Sequence, residues 1–381
     1  MKRKIKVLET IRQGQIGGGE THVLDLVSAL DKDLFEPVVL SFTPGPMVER
    51  LEAMGIQTHV IETERPFDVR CWGRVRRLLQ AERIDVVHAH GTRAQSNTFW
   101  AARRLGLPLL YTVHGWSFHP GQGRLGRRYR QLSEKLLLGQ ADSVICVSDS
   151  NYHDGRAFSA MKGAVVIKNG IDLEKFSPAG PGRHLRRELG IADDTLLVGY
   201  IARITAQKDP FTLLRAVAAL PADLNVYFLL VGGGDLKAEA QQLAHTLGVE
   251  SKVRFLDFRQ DIPDLLRALD VYCLPSLWEG LPIGLLEAMA VGKAVIATAV
   301  DGTRELVDHG RNGWLIAPQA PLQLAAAIHH LAADAHLRQA LGEQAARTVQ
   351  HHFTLPGMTR QVEQLYRQLV PGLAPAHGQP A

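Results

Sequence analysis

Val226-Tyr227-Phe228-Leu229-Leu230-Val231-Gly232-Gly233-Gly234-Asp235 is an unbroken apolar run followed at once by three glycines and a helix-length segment, 235–247. An apolar run of strand length with no polar alternation fits a strand covered on both faces. That is the condition of a parallel sheet flanked by helices. Outward from this stretch the motif repeats. Strand candidates fall at 195–202, 252–257, 270–274, 294–298 and 313–316, and before them at 4–10, 36–42, 57–63, 85–90, 108–113, 143–148 and 164–168. Helical periodicity fills the intervals, for example at 20–30, 209–220 and 322–332. Strands alternating with helices predict βαβ units and parallel sheets.

The pattern runs through the chain twice. Its seam lies near 170–194, where Asn169, Gly170, Pro178, Gly180, Pro181 and Gly182 make a linker composition. A chain of 381 residues is also too long for one ordinary core. The fold class expected is therefore α/β, two facing Rossmann-like domains with an interdomain cleft. The domains are residues 1–173 and 174–354, and the Pro- and Gly-rich stretch 371–381 reads as a flexible tail. No apolar run reaches the length of a membrane helix, and Glu9 and Arg12 interrupt what would otherwise follow a signal-like basic start, so residues 4–10 read as a first strand of a cytoplasmic protein. Cys71, Cys146 and Cys273 are far apart and lack metal spacing; they read as small buried residues in a reducing compartment.

Ligands of such sheets bind beyond the carboxyl ends of the strands, so the loops there carry the functional signal. After the first strand come Gly17-Gly18-Gly19-Glu20 and an amphipathic helix, either a phosphate-approaching turn or a simple tight turn. The fourth strand ends in His88-Ala89-His90-Gly91 and the fifth in Val113-His114-Gly115. These imidazoles can be scaffold residues, metal ligands, or cleft residues that bond substrate hydroxyls; nearby carboxylates at metal spacing are lacking, and His114, with Gly115 beside it, is the best cleft candidate. The first strand of the second half leads into Arg203 and, five residues on, Lys208. Two such cations are either ordinary loop charges or a clamp for a diphosphate. Gly233, within the glycine turn, and Phe258, at the end of the following strand, sit where backbone and a base could meet a ligand.

The most specific stretch is Pro275-Ser276-Leu277-Trp278-Glu279-Gly280-Leu281-Pro282-Ile283-Gly284-Leu285-Leu286-Glu287-Ala288-Met289-Ala290. Pro282 and Gly284 put a helix start between the two acids, leaving Glu279 in the loop and Glu287 on the helix. Amides of Gly284 and Leu285 at that start would face an anion. Glu287 lies a turn inside the helix, a geometry that suits two anchors on one ligand better than the closely spaced carboxylate couple of a retaining glycosidase.

In these residues the chain resembles the family 4 glycosyltransferases, retaining enzymes of the GT-B fold. The matching features are Gly17-Gly18-x-Glu20, Val113-His114-Gly115, Asn169-Gly170-Ile171-Asp172, Arg203 with Lys208, Gly232-Gly233-Gly234-Asp235, and Glu279-x7-Glu287, in the family's order along nearly the whole chain. The resemblance implies that Arg203 and Lys208 hold the donor diphosphate, Glu279 bonds the donor sugar, Glu287 bonds the ribose, and Gly17, Gly18, Gly284 and Leu285 line the diphosphate with amides. It places His114 beside the sugar near the reacting centre. It implies no metal and no cofactor, a UDP- or GDP-sugar donor, and a glycan or lipid-linked acceptor of bacterial polysaccharide, lipopolysaccharide or glycolipid synthesis. It also implies a C-terminal helix over 355–369 that returns to the first domain; the Trp common in the family at its start is Leu355 here.

The first 173 residues carry 24 Lys and Arg against 18 Asp and Glu, a net +6, and the remainder is −2. The excess sits in 65–83 and 124–135. Helices there, one with Val69, Trp72 and Leu79 and one Arg-rich then Leu-rich, are either solvated faces or surfaces for an anionic membrane at the inner face of the cytoplasmic membrane. No nucleic-acid motif accompanies the charge. Two rival functions stand: a nucleotide-sugar epimerase on the same scaffold, and a silent binding protein.

Overall fold

Residues 3–119, 121–180 and 183–372 are described by a computed structural model, in which thirteen strands form two wholly parallel sheets. The first sheet contains β1 (Ile5–Ile11), β2 (Phe35–Ser41), β3 (Gln57–Val60), β4 (Val86–His90), β5 (Leu109–Val113), β6 (Ser143–Cys146) and β7 (Ala164–Val166), in the order β3-β2-β1-β4-β5-β6-β7. The second contains β8 (Leu196–Ile201), β9 (Val226–Val231), β10 (Val253–Leu256), β11 (Val271–Leu274), β12 (Ala294–Thr298) and β13 (Trp314–Ile316), in the order β10-β9-β8-β11-β12-β13. The opening run is β9: it lies between β8 and β10, and Phe228, Leu229, Leu230 and Val231 are all buried. Both sheets reverse direction of growth beside their first strand, between β1 and β4 and between β8 and β11. Loops at those two switch points diverge and leave room for a ligand.

The chain divides into two units, Met1–Gly170 together with the stretch from Leu355, and Ile171–Thr354. The division falls at Gly170/Ile171 rather than after residue 173. Helix Leu355–Leu369 belongs to the first unit: Leu355, Met358, Val362 and Tyr366 pack with Ile5, Val7, Leu26, Phe35 and Val86 in one cluster. The second unit has a large cluster on one face of its sheet, where alternate residues such as Val198, Phe228, Leu230, Val271 and Ile296 pack together. The 170–194 seam, expected as linker, contains helix Arg183–Glu188. Arg186 is buried there and donates to the carbonyls of Ala192, Thr195 and Ala268, with Asp270 as counter-ion. A buried guanidinium needs that many acceptors, and they tie the segment to the sheet.

Cys71, Cys146 and Cys273 are buried and unpaired; burial pushes the Cys146 thiol up to about 12. Pro371 and Gly372 lie in a turn, and residues 373–381, where the tail was expected, lie outside the described residues. Leu230, fully buried in β9, is a direct check on the second sheet. Leu230→Ala should cost about 3 kcal/mol through lost transfer energy and a residual cavity, read as a lower urea midpoint for the second unit.

Candidate functional site

In the second unit the site begins with two loops hydrogen-bonded to each other. The segment after β8 turns through Ala206–Lys208 into Asp209, which has φ 44° and ψ 63° and caps helix Pro210–Ala218 by accepting from the Thr212 amide at 3.1 Å and its hydroxyl at 2.6 Å. A non-glycine residue in the left-handed region is held there only when its surroundings over-determine it, and these two bonds do so. The segment after β11 runs alongside: the Leu277 amide donates to the Gln207 carbonyl at 2.8 Å, and Gln207 Nε2 donates to the Trp278 carbonyl at 3.0 Å. These bonds bring Lys208 Nζ onto Glu279 Oε1 in a tight ion pair, while the Glu279 amide donates to Asp301 at 2.9 Å. The Glu279 side chain is 5% exposed and that of Lys208 16%. A carboxylate this dry needs its cation.

Arg203 is exposed and makes no ion pair or side-chain hydrogen bond among the described residues. It is a free cation beside a partnered one. Helix Ile283–Ala290 begins after Pro282, and the Leu286 amide already bonds the Pro282 carbonyl. By helix geometry the amides of Ile283, Gly284 and Leu285 have no acceptor within the helix. Gly284 is dictated by contact: a Cβ there would lie 2.9 Å from the hydroxyl of Tyr272, which donates to the Ile201 carbonyl at 3.2 Å. Glu287 is half-buried on this helix, and the Leu285 side chain is fully buried, so only its backbone faces outward.

The glycine turn after β9 corrects an expectation. Gly232 and Gly234 make room for protein backbone, not ligand: added Cβ atoms would meet the Ala202 carbonyl oxygen at 2.2 Å and the Ile204 carbonyl oxygen at 2.1 Å. The turn is bonded to the β8 loop through Ile204 N to Gly233 O at 2.8 Å, so it supports the Arg203 segment. Gly233 alone has open space on its Cβ side. Phe258, 48% exposed after β10, presents a free aromatic face.

In the first unit, helix Gly18–Ala29 starts directly after Gly17. A Cβ on Gly17 would meet Glu20 Oε2 at 2.9 Å, Gly18 is open, and Gly19 faces the ring of His114 at 3.6 Å from such a Cβ. Of the roles the strand ends left open, His88 and His90 do not fill that of cleft residues; both are buried. The register that sets Glu9 opposite His88 explains this, because β1 and β4 direct both side chains into one interior polar pocket. Glu9 Oε2 lies 2.8 Å from His90 Nε2 and 3.1 Å from His88 Nδ1, and Tyr366 donates to Glu9 Oε1 at 2.5 Å. His88 also contacts the hydroxyls of Tyr366 and Thr112 at 2.6 and 2.7 Å. His114 is half-buried, its Nε2 3.0 Å from His90 Nδ1. His22, whose Nδ1 lies 3.0 Å from Asn169 Oδ1, stands edge-on to the His114 ring.

Burial alone would raise the Glu9 carboxyl, but His88 and His90 beside it hold it well below the usual carboxylate range. Burial, with neighbouring imidazoles, lowers His90 to about 4 and His22 to about 3, and holds His114 well below its ordinary value. The ligand nitrogens of His22, His90 and His114 lie within 4.8 Å of one another, as do the ligand atoms of Glu9, His88 and His90, so either trio could approach a metal. In the second, every ligand atom is already engaged by protein.

Two family models match the chain: one described as Glycosyltransferase Family 4, over residues 16–175, and one described as Glycosyl transferases group 1, over 183–348. The D-inositol 3-phosphate glycosyltransferase of Actinosynnema mirum is 32% identical over 280 residues, covering 68% of this chain and 67% of that one. This chain belongs to the family 4 glycosyltransferases. The transferase is also 28% identical over 332 residues to the UDP-Gal:alpha-D-GlcNAc-diphosphoundecaprenol alpha-1,3-galactosyltransferase of Escherichia coli, covering 82% and 84% of the two chains. Among solved structures, Anabaena HepE with UDP and glucose aligns with a TM-score of 0.84 at 26% identity, over 95% of this chain and 99% of that one. The fold is GT-B, and the enzyme is a glycosyltransferase.

Glu9, His22 and Tyr366 escaped the sequence reading. The one available signal was an acid inside an otherwise apolar strand, since an unpaired carboxylate there is costly. An imidazole kept neutral by burial takes up its proton only in the unfolded chain. The first unit should therefore lose stability as the pH falls from about 6.5 towards 4, the window between ordinary and buried imidazole values. Thermal melts across that range should show the first unit's transition dropping before the second's.

Proposed function

We propose that this transferase moves a hexosyl group from a UDP-sugar to a lipid-linked glycan acceptor, with retention at the anomeric carbon and without a resident metal. The observation that carries this reading is the grouping of Arg203, Lys208 and Glu279 at the carboxyl ends of β8 and β11, beside the free amides of helix Ile283–Ala290. Arg203 and Lys208 take the two charges of the leaving diphosphate, with the amides of Gly284 and Leu285 and those of Gly17 and Gly18 adding donors. Lys208 is held on Glu279 until a donor arrives, and the carboxylate then turns to the sugar hydroxyls. Glu287 bonds the ribose, Phe258 and the backbone beside Gly233 meet the nucleotide, and His114 bonds the sugar. No side chain stands ready as a nucleophile on the sugar's other face, so acceptor attack from the leaving-group side, with the diphosphate taking the acceptor's proton, fits best.

UDP is favoured over GDP because HepE was solved with UDP and UDP-glucose, and the Escherichia coli relative is named for UDP-Gal. That relative's diphosphoundecaprenol acceptor supports a lipid-linked substrate in surface-glycan synthesis on the cytoplasmic side. Helix Arg124–Gln140 supports membrane contact. Leu125, Tyr129, Leu132 and Leu136 form one exposed stripe at helical spacing, flanked by exposed Arg124, Arg127, Arg128, Arg130 and Lys135. The other basic helix, Val69–Ala81, does not supply such a face. Its Leu79 is buried and Trp72 stacks on Trp100 at 5.5 Å, so its apolar side is used by the core.

A thermal-shift screen without metal should give stabilisation by UDP-hexoses that an Arg203→Ala/Lys208→Ala variant lacks. At a hundredfold excess over Kd the stabilisation is about 2.7 kcal/mol. A sugar–lipid product, rather than an isomerised nucleotide sugar, excludes the epimerase. Response to GDP-hexoses alone would reverse the nucleotide assignment. Separately, vesicles containing phosphatidylglycerol should sediment the enzyme at low salt, and Leu132→Glu with Tyr129→Glu should abolish this while leaving donor binding intact.

A further inference from the structure

Four imidazoles, one carboxylate and one phenol share the interior of the first unit, more polar chemistry than a scaffold needs. Their hydrogen bonds can be assigned proton by proton. Glu9 is ionised and can only accept. The Tyr366 hydroxyl therefore donates to Oε1, His90 donates from Nε2 to Oε2 at 2.8 Å, and His88 directs its Nδ1 proton at the same carboxylate and the tyrosine oxygen. With its proton on Nδ1, His88 accepts the Thr112 hydroxyl at Nε2. His90 is neutral and has spent its one proton on Glu9, so its Nδ1 carries a lone pair. The 3.0 Å contact with His114 Nε2 is then a hydrogen bond only if His114 donates. His114, itself neutral, is left with a lone pair on Nδ1.

We infer that Glu9, acting through His90, is a positioning residue that fixes His114 as the Nε2–H tautomer, so that His114 meets the donor sugar only as a hydrogen-bond acceptor through Nδ1. The sugar hydroxyl must donate to it. The negative end of a neutral imidazole then faces a sugar that gains positive charge as its bond to the diphosphate breaks. A carboxylate behind an imidazole that sets its tautomer is a known device of catalysis. Here it works one ring further back. His22 walls the other side, its Nδ1 proton directed at Asn169. Tyr366 brings helix Leu355–Leu369 into the chain of bonds, so that helix is part of the machinery that orients His114.

The inference rests on His114 as the sugar contact, but its central claim can be read without any donor. Long-range 1H–15N spectra of the full chain labelled in histidine, assigned with His114→Asn and His90→Asn, report each tautomer. The expected result is Nε2–H for His90 and His114 and Nδ1–H for His88. Nδ1–H on His114, or a His90 protonated on both nitrogens at neutral pH, overturns the assignment. Tyr366→Phe, which removes one donor from Glu9 and keeps the ring, and Glu9→Gln should then lower kcat about tenfold or more with the UDP Kd unchanged. Variants that fold and keep kcat overturn the positioning role. If the tautomers are as stated and no UDP-hexose binds, the donor assignment fails and the relay stands.

Discussion

The Lys208–Glu279 pair organises the second unit's site. A carboxylate that dry has two stable conditions, neutral or paired, and the loop-to-loop bonds through Gln207 make pairing the local outcome. The pair also joins the two switch-point loops, so its residues, 71 apart in sequence, act as one structure. A site proposed to bind an anion beside a carboxylate needs that acid neutralised beforehand, and Lys208 supplies the charge that does so. Arg203, exposed and unengaged among the described residues, retains its full charge for a ligand.

The first unit uses the opposite economy. Its charge is one carboxylate sunk in the sheet, and its output is directional. Glu9 and Tyr366 touch nothing outside the interior, yet the order of their hydrogen bonds decides which face His114 shows. The same burial that keeps His90 and His114 neutral makes them reliable acceptors or donors, because a protonated ring could no longer distinguish its two nitrogens.

Much of this was legible in the sequence. Apolar runs announced the inner strands, such as Val226–Val231 and Ala294–Thr298, since a parallel strand buried on both faces leaves no room for polar alternation. Arg203, Lys208, Glu279 and the helix start at Ile283 were legible because each lies in a loop next to its strand. What could not be read was contact between distant segments. Tyr366 is 357 residues from Glu9, and nothing local marks the two as partners. The helix Val69–Ala81 was left between two readings for a related reason: amphipathic spacing shows that a helix has an apolar side but not whether the core already occupies it. The glycine turn after β9 reads as a place where backbone meets a ligand, and nothing local shows that at positions 232 and 234 the β8 loop fills the space with its own carbonyls.

The place of helix Leu355–Leu369 in the chain has a consequence for how the enzyme is made. The first sheet and its helices leave the ribosome long before the segment that covers Ile5, Val7, Phe35 and Val86 has been synthesised. The second unit, contiguous from Ile171 to Thr354, is completed in between. The nascent first unit therefore waits with a greasy seam and an unsatisfied Glu9 through the translation of its neighbour, a state open to chaperone capture or misassociation. Its polar interior closes only when Tyr366 arrives, so the orienting chemistry of the first unit waits until the whole of the second unit has been translated.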